Sequence, residues 1–145
     1  MGLIVGFAFR RLIKLVLSFL MLTVVVGCHN YIVDASNSKQ YSRMINQCFV
    51  TTKTLKVVKH EKDRKIIELS PGDSGEGLVQ MGALAPGTKI ILRQINRQHI
   101  VEYGDLYYGI VEFPFQGATL TAEAFSIFLN GVEFSYNPNW LQPCQ

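Results

Sequence analysis

His60, Asp63 and Ser74 are the residue types of a hydroxyl nucleophile, its general base and the carboxylate that orients the base, and Ser74 sits in the run Pro71-Gly-Asp-Ser-Gly-Glu-Gly77. The spacing argues against that chemistry. His60 and Asp63 are three positions apart and Asp63 and Ser74 eleven, whereas a triad converges from distant segments around a substrate cleft. Proline, three glycines, aspartate and serine within seven residues are instead what a turn between strands requires. Gly82-x-x-x-x-Gly87-Thr88-Lys89 approaches a phosphate-binding loop but transposes the lysine and the hydroxyl, and a strand-like run follows where a helix N-terminus is needed. His29, His60 and His99 show no paired ligand spacing. The sequence therefore predicts neither an enzyme nor a metal or cofactor site.

The Gly-Asp-Ser-Gly run resembles that of trypsin-like proteases, yet it departs from the protease pattern in its last two residues, Glu76 and Gly77. A protruding loop is the better expectation, with Asp73, Ser74 and Glu76 at its tip. Two further groups are candidate partner surfaces. The aromatics Tyr103, Tyr107, Tyr108, Phe113 and Phe115 are dense enough to line a groove, because Tyr107 and Tyr108 must point to opposite faces of a strand. Lys53, Lys56, Lys59, Lys62, Arg64 and Lys65 form a basic ribbon, either a contact for anionic glycan or lipid or a solvated edge that discourages sheet-to-sheet association.

The elements that position these residues begin after a distinct leader. Arg10, Arg11 and Lys14 are followed by thirteen uncharged residues, Leu15 to Gly27, a basic segment and then an apolar one, as in secretory signal peptides. A helix of that length covers roughly 20 Å, short of the roughly 30 Å hydrocarbon layer. A stable span would have to recruit Met1 to Phe9 and bury both arginines, which is the competing reading of an uncleaved anchor. Val25-Val26-Gly27-Cys28 resembles the lipobox of bacterial lipoproteins. The resemblance implies cleavage after Gly27 and diacylglyceryl transfer to the Cys28 thiol. With His29 rather than Asp beside Cys28, it further implies an outer-membrane address on the periplasmic side. Several acyl chains, at roughly 0.8 kcal/mol per buried CH₂, would hold the protein on a bilayer.

Without residues 1–27 the chain keeps 118 residues, with 11 basic and 11 acidic side chains. A neutral domain of this size has one core and gives no reason to expect nucleic acid. Cys48 and Cys144 remain, an even pair that reads as a disulfide in an oxidising compartment, the alternative being two buried thiols.

Residues 28–40 are expected to form a lipidated tether and 41–145 a single β domain. Ser38 is expected to cap a brief helix with Tyr41, Met44 and Ile45 on one stripe. Beyond Cys48, short β-branched and aromatic runs alternate with turn residues, predicting strands over 49–59, 66–69, 78–80 and 89–95. Two hairpins are expected. One turns at Asn130-Gly131 and pairs Ile127 with Phe134 and Phe125 with Tyr136; the other turns at Gly104-Asp105. The fold class is all-β, a small SH3-like barrel or a compact sandwich. Gly82 to Leu92 resembles the turn-plus-strand of bacterial SH3-like domains. Together these features predict a non-enzymatic outer-membrane lipoprotein, a binding or accessory module for an envelope protein or peptidoglycan. The alternative is a lipidated inhibitor of a hydrolase such as lysozyme, whose cleft the 71–77 loop would enter. Oligomeric state is not legible in the sequence.

Overall fold

The computed structural model describes residues 30–63, 65–72, 76–130 and 134–145. Every regular element among them is a strand: β1 (Tyr31–Asp34), β2 (Cys48–Thr51), β3 (Leu55–His60), β4 (Ile67–Ser70), β5 (Leu78–Leu84), β6 (Lys89–Ile100), β7 (Gly104–Phe115), β8 (Ala118–Ala124), β9 (Phe128–Asn130), β10 (Phe134–Tyr136) and β11 (Leu141–Pro143). Nine of them form one open sheet in the order β11-β2-β6-β7-β8-β4-β3-β5, with β1 also on β6, and β9 and β10 form a separate ribbon. All pairings are antiparallel except that of β4 with β8. The expected all-β class is what forms.

The backbone of β6 organises the rest. One edge of this 12-residue strand pairs with β7, while the other is divided between β2 at 89–91 and β1 at 96–99. Between those two contacts the chain makes an excursion over residues 36–46, leaving and rejoining the same edge. Ala35 N donates to Ile95 O at 2.8 Å and Ile95 N donates to Ser36 Oγ at 3.0 Å. On return, Asn46 N donates to Leu92 O and Leu92 N donates to Gln47 O. The strand's buried backbone groups are thus satisfied at the junctions.

The excursion is a series of turns, not the expected helix. Tyr41 N donates to Ser38 Oγ at 3.3 Å as a cap would arrange, but the chain leaves helical geometry at once, and Asn46 has φ 65°. So short a segment has too little helical hydrogen bonding to persist. Its apolar stripe docks nonetheless: Tyr41 is buried edge-on to Phe134 and Tyr107, and Met44 and Ile45 pack beside it. Residues 31–34, given to the tether on composition, form β1.

Side-chain phase explains two irregularities. Ile90, Leu92 and Ile95 all reach the core although their spacing changes from two to three, because a bulge at Arg93 resets the alternation opposite Val111 and Ile110. Between β3 and β5, Met81 is the extra residue, which leaves Gly82 facing inward. A Cβ at Gly82 would lie 2.8 Å from Phe115 Cζ, so β5 curls over the end of β7. Thr51 Oγ1 donates to Ala85 O across the same end. The run Gly82–Leu92 is the close of β5, the Pro86-Gly87 turn and the start of β6, and the sheet it belongs to stays open.

Both predicted hairpin registers are corrected. The β6–β7 turn is Val101–Tyr103, closed by Tyr103 N donating to Ile100 O, with Gly104 at φ 82° after it. Ile100 therefore faces Gly104, and residues 96–98 lie in strand. The chain leaves this turn through left-handed backbone at Gly104, a conformation that glycine adopts without strain. In the β9–β10 ribbon, Phe128 rather than Phe125 faces Tyr136. The predicted register placed Phe128 among Ser126, Ser135 and Glu133; the observed one buries it, stacked on Phe134 at 5.0 Å and edge-on to Phe49 at 6.0 Å. The chain between β7 and β8 turns at Gln116-Gly117, both at positive φ.

The Cys48–Cys144 disulfide is present, with Cα atoms 5.4 Å apart, and Cys144 N donates to Cys48 O beside it. Close approach in the core is sharpest at Gly109, where a Cβ would meet Leu92 Cδ1 and Phe128 Cε2 at 2.8 Å. Gly109→Ala is expected to lower stability by about 1–3 kcal/mol through overpacking. Urea unfolding at constant m-value reads this as a lower midpoint, and an unchanged midpoint would contradict the packing.

Candidate functional site

The sheet has one core face, and the opposite face carries a row of side chains across five strands. Registers align Ile110 on β7, Glu123 on β8, Glu68 on β4, Val58 on β3 and Gln80 on β5. Alternation places these on the opposite face because their neighbours Val111, Ala122, Leu69 and Val57 belong to the core, and Val58 is itself fully buried there. Glu68 and Glu123 are directly opposed across the one parallel ladder among the described residues, a pairing that disfavours two ionised carboxylates. His60 Nε2 lies 3.6 Å from Glu68 Oε2.

Both carboxyls are half-buried and titrate above the ordinary value of 4.5. For Glu68 the main cause is desolvation, opposed by attraction to His60 and a hydrogen bond with it. For Glu123 desolvation again leads, opposed by His60 and reinforced by repulsion from Glu68. Tyr108 borders this group with 2 % exposure, its ring stacked on Phe125 at 4.3 Å and its hydroxyl accepting from Asn96 Nδ2 at 3.2 Å. Burial also raises its pKa. Such a pair can retain a proton at a pH where isolated carboxylates have lost theirs. His60 also borders an open hollow of about 420 Å³ with Glu61, Lys62, Glu76 and Gly77. Among the described residues no group of three or more His, Cys, Asp and Glu side chains is placed to hold a metal ion.

A second surface lies where β1, β6 and β7 extend past the core. Tyr31, Ile32, Val33, Val101 and Tyr103 are large apolar side chains exposed at this end, Ile32 by 57 % and Tyr103 by 83 %, with Ile32 on the face of β1 opposite Tyr31 and Val33. Polar contacts stiffen this end. Asp105 takes His99 Nδ1 at 2.8 Å on one oxygen and Arg97 Nη1 at 3.7 Å on the other. Tyr31 stacks on His99 at 5.1 Å, and Val101 N donates to Asn30 Oδ1 at 3.3 Å. The start of the described chain is therefore fastened to the hairpin tip.

The predicted site residues are scattered over these surfaces. Tyr103 is the exposed tip, whereas Tyr107 turns inward, edge-on to Tyr41. Tyr108 is covered by Phe125, and Phe113 is a core residue. The aromatics thus do not line one groove: alternation sends Tyr107 and Phe113 to the core face, and Phe125 closes the face left to Tyr108. Lys56 and Lys59 are half-buried on β3, and Lys59 borders an open hollow of about 280 Å³ with His60, Glu61 and Val79. Glu76 is exposed beside the second hollow; Asp73, Ser74 and Cys28 lie outside the described residues. Sequence reasoning missed the Glu68–Glu123 pair, since the residues are 55 positions apart and meet only through the parallel ladder. No protein-family model matches the chain, and no curated protein or solved structure matches it.

The raised carboxyls fix a sign for pH dependence. Between the ordinary and the raised values the folded chain binds more protons than the unfolded one, so their contribution to stability falls as pH rises through that window. Glu123→Gln removes one of the opposed charges while keeping the shape. Its Tm is expected to exceed that of the wild type by a few degrees at pH 7, with the gap closing below pH ~4. Calorimetry at both pH values reads the difference, and a gap of equal size at both would assign the effect to something other than ionisation.

Proposed function

We propose that the chain is a non-enzymatic lipoprotein of the outer membrane, held at the periplasmic face by acylated Cys28, and that its β domain is a binding or accessory module for an envelope protein or peptidoglycan. The observation that carries this reading is the Cys48–Cys144 disulfide. Such bridges form and persist in oxidising compartments, which is where the lipobox-like Val25–Cys28 and the basic-then-apolar leader would deliver the chain. His29 beside Cys28 supports the outer rather than the inner membrane, by the family's sorting pattern. A binding role draws support from the clustered exposed apolar side chains at the β1 end, because soluble monomers rarely leave such side chains grouped.

Metabolic labelling with palmitate is expected to mark the wild type and to leave a Cys28→Ala variant unmarked. Equal labelling of both would remove the anchor from Cys28. Alkylation of intact cells before lysis is expected to leave Cys48 and Cys144 unmodified, whereas a variant lacking residues 2–27 should take up three alkyl groups, at Cys28, Cys48 and Cys144. Modification of both thiols in the wild type would place the domain in a reducing compartment. Cross-linking in intact cells then identifies the envelope partner.

A further inference from the structure

We propose that the hairpin tip Val101–Tyr103 and the adjoining strand β1 rest in the headgroup layer of the same bilayer that receives the Cys28 acyl chains, so that the domain stands on the membrane by a built apolar foot. This rests on the reading of Cys28 as the lipidated residue. Asn30 is hydrogen-bonded to the hairpin tip through Val101 N at 3.3 Å, and Cys28 precedes Asn30 by two residues. Two residues of extended chain reach about 7 Å. The polar layer of a bilayer is itself roughly 5–8 Å deep on each side. An acylated Cys28 therefore cannot hold the tip clear of that layer.

The side chains at this end suit the site. Tyr103 and Tyr31 have the apolar ring and polar tip that favour the membrane–water boundary, and Ile32 and Val101 add aliphatic surface beside them. Among the described residues, five of the seven exposed large apolar side chains lie on β1 or the hairpin tip, Tyr31 and Val33 on one face of β1 and Ile32 on the other. The charged groups nearby are largely spent on each other, with Asp105 contacting both Arg97 and His99. Glu102, between Val101 and Tyr103 in the turn, stays at headgroup depth where it remains hydrated.

This foot sets an orientation. β6 runs from Ile100 at the membrane to Lys89, and eleven residue steps at about 3.3 Å each span roughly 36 Å. Beyond Lys89 lies the opposite end of the sheet, where β2 meets β11 and where Trp140 sits, its carbonyl accepting from Thr52 N. Trp140, the sole tryptophan, is thereby an internal control far from the bilayer.

The test uses the full chain, expressed with its leader, purified in detergent and reconstituted into phosphatidylethanolamine/phosphatidylglycerol vesicles carrying lipids brominated near the top of the acyl chain. The indole of a Tyr103→Trp variant is expected to lose several-fold more fluorescence to the brominated lipid than the wild-type Trp140 signal does. Intact mass reports the acyl chains and flotation reports attachment in the same sample. Acylated, floating protein with no excess quenching overturns the foot and leaves the anchor standing. Protein without acyl mass overturns the anchor, and the foot with it. A Leu78→Trp variant, placed on β5 away from the hairpin, should behave like the wild type; equal quenching there would mean that the domain lies on its side.

Discussion

The ladder between β6 and β7 is the interaction on which the other strands depend. Its nine registered pairs run from Ile91–Glu112 to Ile100–Gly104, and it presents two free edges, one of which β8 takes and the other β1 and β2 divide. A long two-stranded ribbon is marginal alone. Here it is stabilised because each edge is covered and because the Arg93 bulge turns Ile95 into the core after Leu92. Arg93, released from the ladder, donates to Glu112 at 2.7 Å and to Asn46 at 2.8 Å. The bulge therefore also ties down the point where the 36–46 excursion rejoins the sheet, and the Arg93 hydrogen bond is the main reason the Glu112 carboxyl titrates below its ordinary value.

How much of this was legible depended on whether the deciding interaction was local. The β-branched runs and the paired cysteines were readable because each follows from residue type. The hairpin turns were misplaced where two local preferences competed. Gly104-Asp105 has the composition of a two-residue turn, but Gly104 serves as the left-handed residue through which the chain leaves the Val101–Tyr103 turn and enters β7. Asn130-Gly131 has the same appeal, and there tertiary packing decides, since only the observed register buries Phe128 against Phe49 and Phe134. Gln116-Gly117 adopts the backbone of a tight hairpin with a glutamine in the first position, a residue type without the local hydrogen bonding that makes Asn and Asp recognisable there. Strand β8 went unread with it.

The outward carboxyl pair was illegible for another reason. Glu68 and Glu123 share a register only because β4 and β8, edge elements of two antiparallel sub-sheets, meet in parallel. No periodicity in either strand announces the partner. The same is true of β1: Tyr31 to Asp34 are as exposed as a tether would be, and their strand conformation comes from pairing with β6 rather than from burial. Exposure in a strand is a different matter from exposure in a linker, because pairing with β6 fixes the backbone.

The two ends of the sheet are stabilised by unlike means, and the contrast follows from what surrounds them. At the β1 end, cross-strand contacts among Arg97, His99, Asp105 and Tyr31 order the ribbon without burying much of it. At the other end β11 has only three residues and pairs with β2 alone. Strands that short contribute little by themselves. The disulfide closes 96 positions of chain at this point, which in the chain-entropy model stabilises by up to about 4–5 kcal/mol, and Lys53 lies 5.1 Å over the Trp140 ring beside it. A covalent tie is placed where the ladder is short.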